Sequence, residues 1–236
     1  MNRLCPFFSF YGSKYRAIPY YPQPVGKIVE PFAGSATYAL HYPNGPVHLN
    51  DADPVIYGIW NYLTHVSPPE VRALPVDFET TENLPIPQEA KWLIGFWMKR
   101  ATVRPGMSRD KGWAQRPEGP YWTEDNRARV AQQVSFIHHW TVSNLSYEDL
   151  PQEHATWFID PPYQGKAGRK YVHNKVDYEH LAKWCKSRSG QVIVCENSDA
   201  TWMPFEELIT LKNNRSGKST EMIWKRGIMS SQPELF

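Results

Sequence analysis

Four consecutive residues carry the chemistry that is easiest to interpret in this chain: Asp160, Pro161, Pro162 and Tyr163. They follow the apolar run 155–159, which is typical of a buried strand. Each proline fixes its φ angle near about −65° and lacks an N–H group, so the pair predicts a rigid extended turn. A carboxylate, a stiff turn and an aromatic ring at a strand end are suited to holding a flat ring that carries an amine.

The hydrogen-bonding capacity of this segment indicates which group it would hold. An ionised Asp160 accepts hydrogen bonds, and together with the Pro161 carbonyl it could accept both hydrogens of an exocyclic NH2 group. Two acceptors that draw the hydrogens out of the ring plane favour a tetrahedral nitrogen and stabilise the positive charge that develops when it attacks a methyl group. Tyr163 would stack on the ring. The alternative is a structural Pro-Pro turn in which Asp160 is a capping residue.

Length and composition place the chain among folded proteins. It has 236 residues, 41% of them hydrophobic, enough for one large domain or for a domain with an insertion. Its three cysteines lack pairwise spacing and no Cys/His cluster accompanies them, so neither disulfide bridges nor a metal is expected. No apolar run of about 18 residues and no signal peptide occurs, so we expect a cytoplasmic protein that does not enter a membrane.

Basic residues cluster in two places although the net charge is only +2. Residues 99–116 contain six bases and one acid, and a second basic group follows Tyr163. Such clusters are what a surface that binds phosphates needs, although ordinary solvated loops carry similar runs. The candidates for phosphate contacts are Arg104, Arg109, Lys111, Arg116, Lys166, Arg169 and Lys170.

The order of the predicted elements indicates an α/β fold. Short apolar strands at 27–29 and 47–49 alternate with helical patterns at 37–42 and 55–66. This βαβα start is typical of a parallel sheet covered by helices.

The alternation is interrupted over residues 63–133. Proline-rich segments, an amphipathic helix at 89–101 and a helix capped by Thr123 predict an inserted, mainly helical subdomain there. After it, strand patterns return at 140–142, 157–159, 191–195, 207–211 and 220–224, with a helix at 177–188. The last two strands predict a closing antiparallel hairpin.

Polar residues stand at the predicted strand ends, where ligands bind in an open α/β sheet. The small-residue turn 30–36 would let a ligand approach the backbone, and Asp51 could accept hydrogen bonds from ribose hydroxyls. The turn has one glycine instead of G-x-G-x-x-G, which favours a cofactor with a nucleoside but no phosphates. Asp53 before Pro54 is the predicted helix cap, which leaves Asp51 available, although Asp51 itself could be a cap.

Together these motifs resemble the Dam-like adenine-N6 DNA methyltransferases with alpha-group motif order, which use S-adenosylmethionine. Residues 10–14, Phe-Tyr-Gly-Ser-Lys, resemble the family's N-terminal cofactor motif, and 30–36 resembles its methionine-binding turn. Residues 50–51 are similar to the ribose-binding acidic site, 160–163 match the catalytic tetrapeptide, and 194–198 resemble the strand that closes the pocket.

The resemblance implies a fold and an activity. The fold would be a Rossmann-like methyltransferase sheet with helices on both faces, formed by residues 1–62 and 134–236, with 63–133 as the target-recognition subdomain. The activity would be direct methyl transfer to an adenine flipped out of double-stranded DNA, without a metal. The basic residues named above would contact the DNA. Catalysis would fall to Asp160, Pro161, Pro162 and Tyr163. The cofactor would be bound by Tyr11, Gly12, Lys14, Glu30, Pro31, Phe32, Ala33, Gly34, Ser35, Asp51 and Asp160.

The resemblance also has departures and leaves alternatives open. Ser35-Ala36 replaces the commoner Ser-Gly, Tyr11 stands where Trp is frequent, and residues 63–133 contain no close match to the family's recognition sequence. We expect a monomer or weak dimer in a bacterial or phage-infected cell. Three biological roles stay open: partner of a restriction enzyme, viral counter-defence, and regulator. The alternatives are a methyltransferase of the same fold that acts on RNA adenine or protein glutamine, and a DNA-binding module without catalysis.

Overall fold

The structure, a computed structural model, describes residues 3–99, 101–108, 121–166, 168–212 and 217–227. Within these ranges one sheet of seven strands forms the framework. The strands are β1 (Ile28–Glu30), β2 (Val47–Asn50), β3 (Thr141–Ser143), β4 (His154–Ile159), β5 (Ser189–Asn197), β6 (Glu206–Lys212) and β7 (Lys218–Arg226). The helices are α1 (Thr37–His41), α2 (Pro54–Leu63), α3 (Pro68–Arg72), α4 (Gln88–Met98), α5 (Glu124–Gln133) and α6 (Tyr178–Ser187).

The strand order across the sheet is β3-β2-β1-β4-β5-β7-β6. The first five strands in that order pair in parallel, and β7 pairs antiparallel with both β5 and β6. The predicted α/β class, the mostly parallel sheet and the C-terminal antiparallel hairpin are therefore confirmed. β2 and then β3 lie on one side of β1, whereas β4, the next strand in the chain, lies on the other side of β1. The direction in which strands are added therefore reverses between β1 and β4.

Alternate strand residues pack against two hydrophobic clusters, one on each face of the sheet. Ile28 of β1 and Phe158 of β4 belong to the cluster that includes buried residues of α1, α2, α4 and α5. Val29 and Trp157, one position away, belong to the cluster with α6. Because successive side chains of a strand point to opposite faces, helices cover both faces of the sheet.

Residues 63–133 share the first of these clusters with the rest of the chain. Their helices are α3, α4 and α5, and the buried Phe96 and Trp97 of α4 lie in the same cluster as Trp60 of α2. The indole Nε1 of Trp97 donates a hydrogen bond to the Phe7 carbonyl at 2.8 Å, and the Phe8 and Phe96 rings lie 5.3 Å apart. The aromatic N-terminal segment therefore packs against α4 and shares the hydrophobic cluster with it.

Candidate functional site

A cleft opens at the carboxyl ends of β1, β2 and β4, where the strand order reverses and where parallel sheets bind ligands. The residues of the described chain that line it are Phe10, Tyr11, Gly12, Ser13, Glu30, Phe32, Ala33, Gly34, Ser35, Thr37, Asp51, Ala52, Asp53, Ile56, Val103, Phe158, Asp160, Pro162, Tyr171, Val172 and His173. Four of these side chains are carboxylic acids and none is lysine or arginine.

The turn after β1 brings backbone groups to the cleft. Gly34 and Ala36 adopt left-handed backbone conformations, with φ of 46° and 47°, which bends the chain sharply between β1 and α1. The Glu30 side chain beneath the turn is 2% exposed and accepts a hydrogen bond from the Ala39 N–H group at 2.7 Å. Burial raises the pKa of Glu30 to about 8, so this carboxyl is largely protonated at neutral pH.

Asp51 joins the ends of β1 and β2. Its Oδ2 accepts a hydrogen bond from the Gly34 N–H group and its Oδ1 from the Asp53 N–H group, both at 2.9 Å. Burial raises the pKa of Asp51 to about 6, although both hydrogen bonds oppose the rise. Asp53 caps α2 by accepting from Val55 N–H, as predicted, so Asp51 is not the cap. Each Asp51 oxygen keeps capacity for a further hydrogen bond.

The segment after the tetrapeptide packs onto the N-terminal motif. The Tyr171 hydroxyl donates to the Tyr11 carbonyl at 3.3 Å, and the Lys170 ammonium lies 4.5 Å from the centre of the Tyr11 ring. Gly12 has φ of 80°, and a Cβ atom there would lie 2.2 Å from the Tyr171 hydroxyl oxygen. Glycine is therefore required at position 12 for this close approach.

The tetrapeptide begins directly after β4 and places Asp160 in the cleft. The Lys14 ammonium lies 3.2 Å from Asp160 Oδ1, and the two side chains are 5% and 21% exposed. Burial raises the pKa of Asp160, and the Lys14 charge opposes the rise. Among the described hydrogen bonds, none is donated to the Pro161 carbonyl, whereas the Pro162 carbonyl accepts from the Tyr178 hydroxyl at 2.8 Å.

The strand β5 holds the chain just beyond the tetrapeptide. Glu196 is fully buried, and its Oε1 accepts hydrogen bonds from the Gln164 N–H group at 2.7 Å and from the Trp202 indole at 3.0 Å. Its Oε2 accepts from the Asn197 N–H group at 2.9 Å. The tetrapeptide is therefore anchored at its far end by a side chain from the neighbouring strand.

Tyr163 lies behind the cleft rather than in its wall. Its half-buried ring is 4.4 Å from the Lys14 ammonium, and its hydroxyl donates to Glu221 Oε2 on β7 at 3.1 Å. Glu221 was not among the residues singled out in the sequence, because an isolated glutamate in a strand pattern carries no signal of a site. Stacking of Tyr163 on a base stays a prediction.

Most sequence-predicted cofactor and catalytic residues line the cleft. Those that do so are Tyr11, Gly12, Glu30, Phe32, Ala33, Gly34, Ser35, Asp51, Asp160 and Pro162. Lys14, Pro31 and Pro161 are buried outside its wall. The sequence reading missed Tyr171, Val172 and His173, because their position depends on how the chain folds back after the tetrapeptide.

The candidate DNA contacts fall into two groups. Arg104 is exposed on a groove that shares Asp53, Val103, Val172 and His173 with the cleft. Lys166, Arg169 and Lys170 are exposed on the segment that follows the tetrapeptide. Arg109, Lys111 and Arg116 lie outside the described residues.

Two kinds of feature are absent from the described part of the chain. No helix there has the length and apolar composition needed to cross a bilayer. No group of three or more His, Cys, Asp or Glu side chains there is arranged to hold a metal ion. In comparisons with known proteins, no family matches this chain and no curated protein matches it in sequence.

Proposed function

We propose that this protein is a site-specific DNA methyltransferase that transfers a methyl group from S-adenosylmethionine to the exocyclic N6 amine of a flipped-out adenine in double-stranded DNA. The observation that carries the proposal is the position of Asp160. It faces a cleft that the turn 30–36 and Asp51 also line. The next residue, Pro161, is buried outside the cleft wall, and none of the described hydrogen bonds is donated to its carbonyl.

The sheet is compatible with this function. A mostly parallel sheet that ends in an antiparallel hairpin, with helices on both faces, agrees with the Rossmann-like methyltransferase sheet implied by the resemblance. We propose that residues 1–62 and 134–236 form the catalytic domain. Residues 63–133, which contribute α3, α4 and α5, would form the target-recognition subdomain.

The charge of the cleft fits the proposed cofactor. Nucleotide cofactors with phosphates need basic side chains or a glycine-rich loop, whereas the described wall has four acids and neither lysine nor arginine. When bound, S-adenosylmethionine supplies an electrophilic methyl group on a positively charged sulfur. Asp51 would accept hydrogen bonds from ribose hydroxyls, and the turn 30–36 would hold the methionine portion. Tyr11 and Gly12 would lie beside the bound molecule.

The tetrapeptide would act on the amine. Asp160 and the Pro161 carbonyl would accept its two hydrogens, which favours a tetrahedral nitrogen and stabilises the positive charge that this nitrogen acquires. A strong base is not required, because the proton leaves easily once the nitrogen is alkylated. Fixing the amine in one orientation supplies a further part of the acceleration. Tyr163 would stack on the flipped base.

A labelling experiment tests the proposal. Purified protein with tritiated S-adenosylmethionine should label unmethylated duplex DNA at adenine N6. Asp160→Ala should lower the rate by at least about 100-fold while cofactor binding, measured by calorimetry, is retained. Label that appears only on RNA or on protein would favour the alternative substrates. Tight DNA binding by the wild type without any label would favour a module without catalysis.

A further inference from the structure

Glu221 occupies an unusual place for a carboxylate, because it lies in an interior strand of the sheet. Its strand, β7, pairs with β5 on one side and β6 on the other, and Glu221 stands opposite Asn197, the last residue of β5. The side chain is 14% exposed. A carboxylate this enclosed is costly unless other groups compensate its charge.

Two groups from distant parts of the chain contact this carboxylate. The Tyr163 hydroxyl donates to Glu221 Oε2 at 3.1 Å, and the Lys14 ammonium lies 3.7 Å from the same oxygen. Lys14 also lies 3.2 Å from Asp160 Oδ1 and 4.4 Å from the centre of the Tyr163 ring. Lys14, Asp160, Tyr163 and Glu221 therefore form one connected cluster, which we call the Lys14 cluster.

The Lys14 cluster contains one cation and two carboxylic acids. Burial lowers the pKa of Lys14, but neighbouring groups, first Asp160 and then Glu221, together raise it above its usual value, so the side chain is charged. With both acids ionised, the cluster carries one net negative charge. The other titratable side chains whose charges act on it are Tyr21, Glu30, Tyr171, Cys195 and Glu196. Burial raises the pKa of each of these, which favours their neutral forms.

We propose that Glu221 is a positioning residue for methyl transfer: it fixes the Tyr163 hydroxyl and shares the Lys14 ammonium, so that Asp160 stays available to the substrate amine. The inference rests on the proposed function. Without the Glu221 charge, Lys14 would pair with Asp160 alone and compete with the amine for its oxygens. The cluster would also lose the net negative charge that stabilises a cationic nitrogen.

The test compares Glu221→Gln with wild type. The glutamine keeps the size of the side chain and an oxygen that accepts from Tyr163, but it removes the charge. We expect kcat to fall by about tenfold, with KM for DNA and cofactor affinity largely unchanged. Because the Glu221 charge raises the pKa of Asp160, the variant should lower that pKa, which carbon NMR of the Asp160 carboxyl in the free protein would measure.

Two further variants complete the test. Glu207→Gln on β6 removes an exposed carboxylate from the same hairpin and should change neither kcat nor the Asp160 pKa. Tyr163→Phe removes only the hydroxyl and should also lower kcat. Because that hydroxyl lowers the pKa of Asp160, this variant should raise the pKa, in the direction opposite to Glu221→Gln. Tyr163→Phe therefore still tests the inference if Glu221→Gln fails to fold.

The outcomes separate the inference from the proposed function. If the wild type methylates DNA and both Glu221→Gln and Tyr163→Phe keep the wild-type kcat, the role of Glu221 is overturned and the proposed function stands. Absence of transfer by the wild type would overturn the proposed function instead.

Discussion

Burial in the fold changes the protonation of the acids that line the cleft. Burial raises the pKa of Glu30 to about 8 and that of Asp51 to about 6, and it also raises the pKa of Asp160. Lys14 opposes the rise at Asp160, whereas among the described residues the Ala39 N–H group is the one that stabilises the charged form of Glu30. The end of β1 therefore carries a carboxyl that is largely protonated at neutral pH, whereas the carboxyl that follows β4 is paired with Lys14.

This difference makes the stability of the protein depend on pH through Glu30. Its pKa is higher in the folded than in the unfolded chain, so the folded state binds more protons between pH 4.5 and about 8. Folding stability from this group is present at low pH and is lost as the pH rises through that window. Glu30→Gln mimics the neutral carboxyl and should become progressively more stable than wild type as the pH rises, by up to about 1.4 kcal/mol per pH unit.

Urea unfolding of both proteins from pH 5 to pH 8 measures this difference. The exposed Glu79→Gln is the matched control, and its stability relative to wild type should stay nearly constant over the same range. A constant difference between Glu30→Gln and wild type would show that Glu30 is ionised in the folded protein across the whole range.

At the scale of elements, local sequence signals set where helices begin but not where they end. The Asp53-Pro54 pair begins α2 as predicted, and the Asp53 side chain accepts from Val55 N–H at 2.9 Å. Apolar spacing suggested that this helix continues to Val66, yet it ends at Leu63. There the Thr64 hydroxyl donates to the Asn61 carbonyl at 3.1 Å, and the His65 N–H group, which would bond that carbonyl in a continuing helix, donates to the Tyr62 carbonyl instead.

The cap of α2 gives a prediction at this scale. Asp53→Ala removes the acceptor for Val55 N–H and should cost about 1 kcal/mol of unfolding free energy, whereas Asp53→Asn keeps an acceptor and should cost much less. Thermal and urea unfolding of the two variants measure the difference. Equal losses in both would mean that the charge of Asp53, and not its capping hydrogen bond, stabilises this end of the helix.

At the scale of the whole molecule, the acidic cleft has exposed basic side chains nearby. Arg104 lies on the groove that adjoins the cleft, and Lys166 and Arg169 stand on the segment that follows the tetrapeptide. This distribution suits a substrate with a phosphate backbone that stays outside while one uncharged base enters. Under the proposed function, these local clusters would bind the DNA backbone although the net charge of the chain is only +2.

The corresponding prediction concerns the salt dependence of DNA binding. Arg104→Ala and the double variant Lys166→Ala/Arg169→Ala should weaken binding to duplex DNA in fluorescence anisotropy titrations. The slope of log K against log salt concentration should fall in magnitude by about 0.9 for each phosphate that the variant no longer neutralises. Cofactor affinity should not change. Lys186→Ala on α6 is the control, because it removes an exposed charge from the helix on the other face. Equal weakening in this control would show that overall charge, and not these residues, attracts the DNA.

Local sequence patterns were sufficient to predict the features that depend on residues close together in the chain. Residue periodicity predicted the α/β class and the closing hairpin, turn chemistry predicted the Asp53 cap, and strand-end positions marked the turn 30–36, Asp51 and Asp160. The lengths of central strands were underestimated: β5 was predicted at 191–195 but extends over Ser189–Asn197, because β4 and β7 pair along both of its sides.

Contacts between residues far apart in the chain could not be predicted from local patterns, because they depend on how the whole chain folds. Lys14 and Glu221 come from opposite ends of the chain. They meet beside the tetrapeptide because β7 lies next to β5 and because Lys14 of the N-terminal motif contacts Asp160 and Tyr163. Tyr171 reaches Gly12 in the same way. No local sequence pattern specifies the strand order, because the order depends on which of all possible strand pairings gives the most stable buried core. The polar contacts that such pairings create are therefore visible only once the chain has folded.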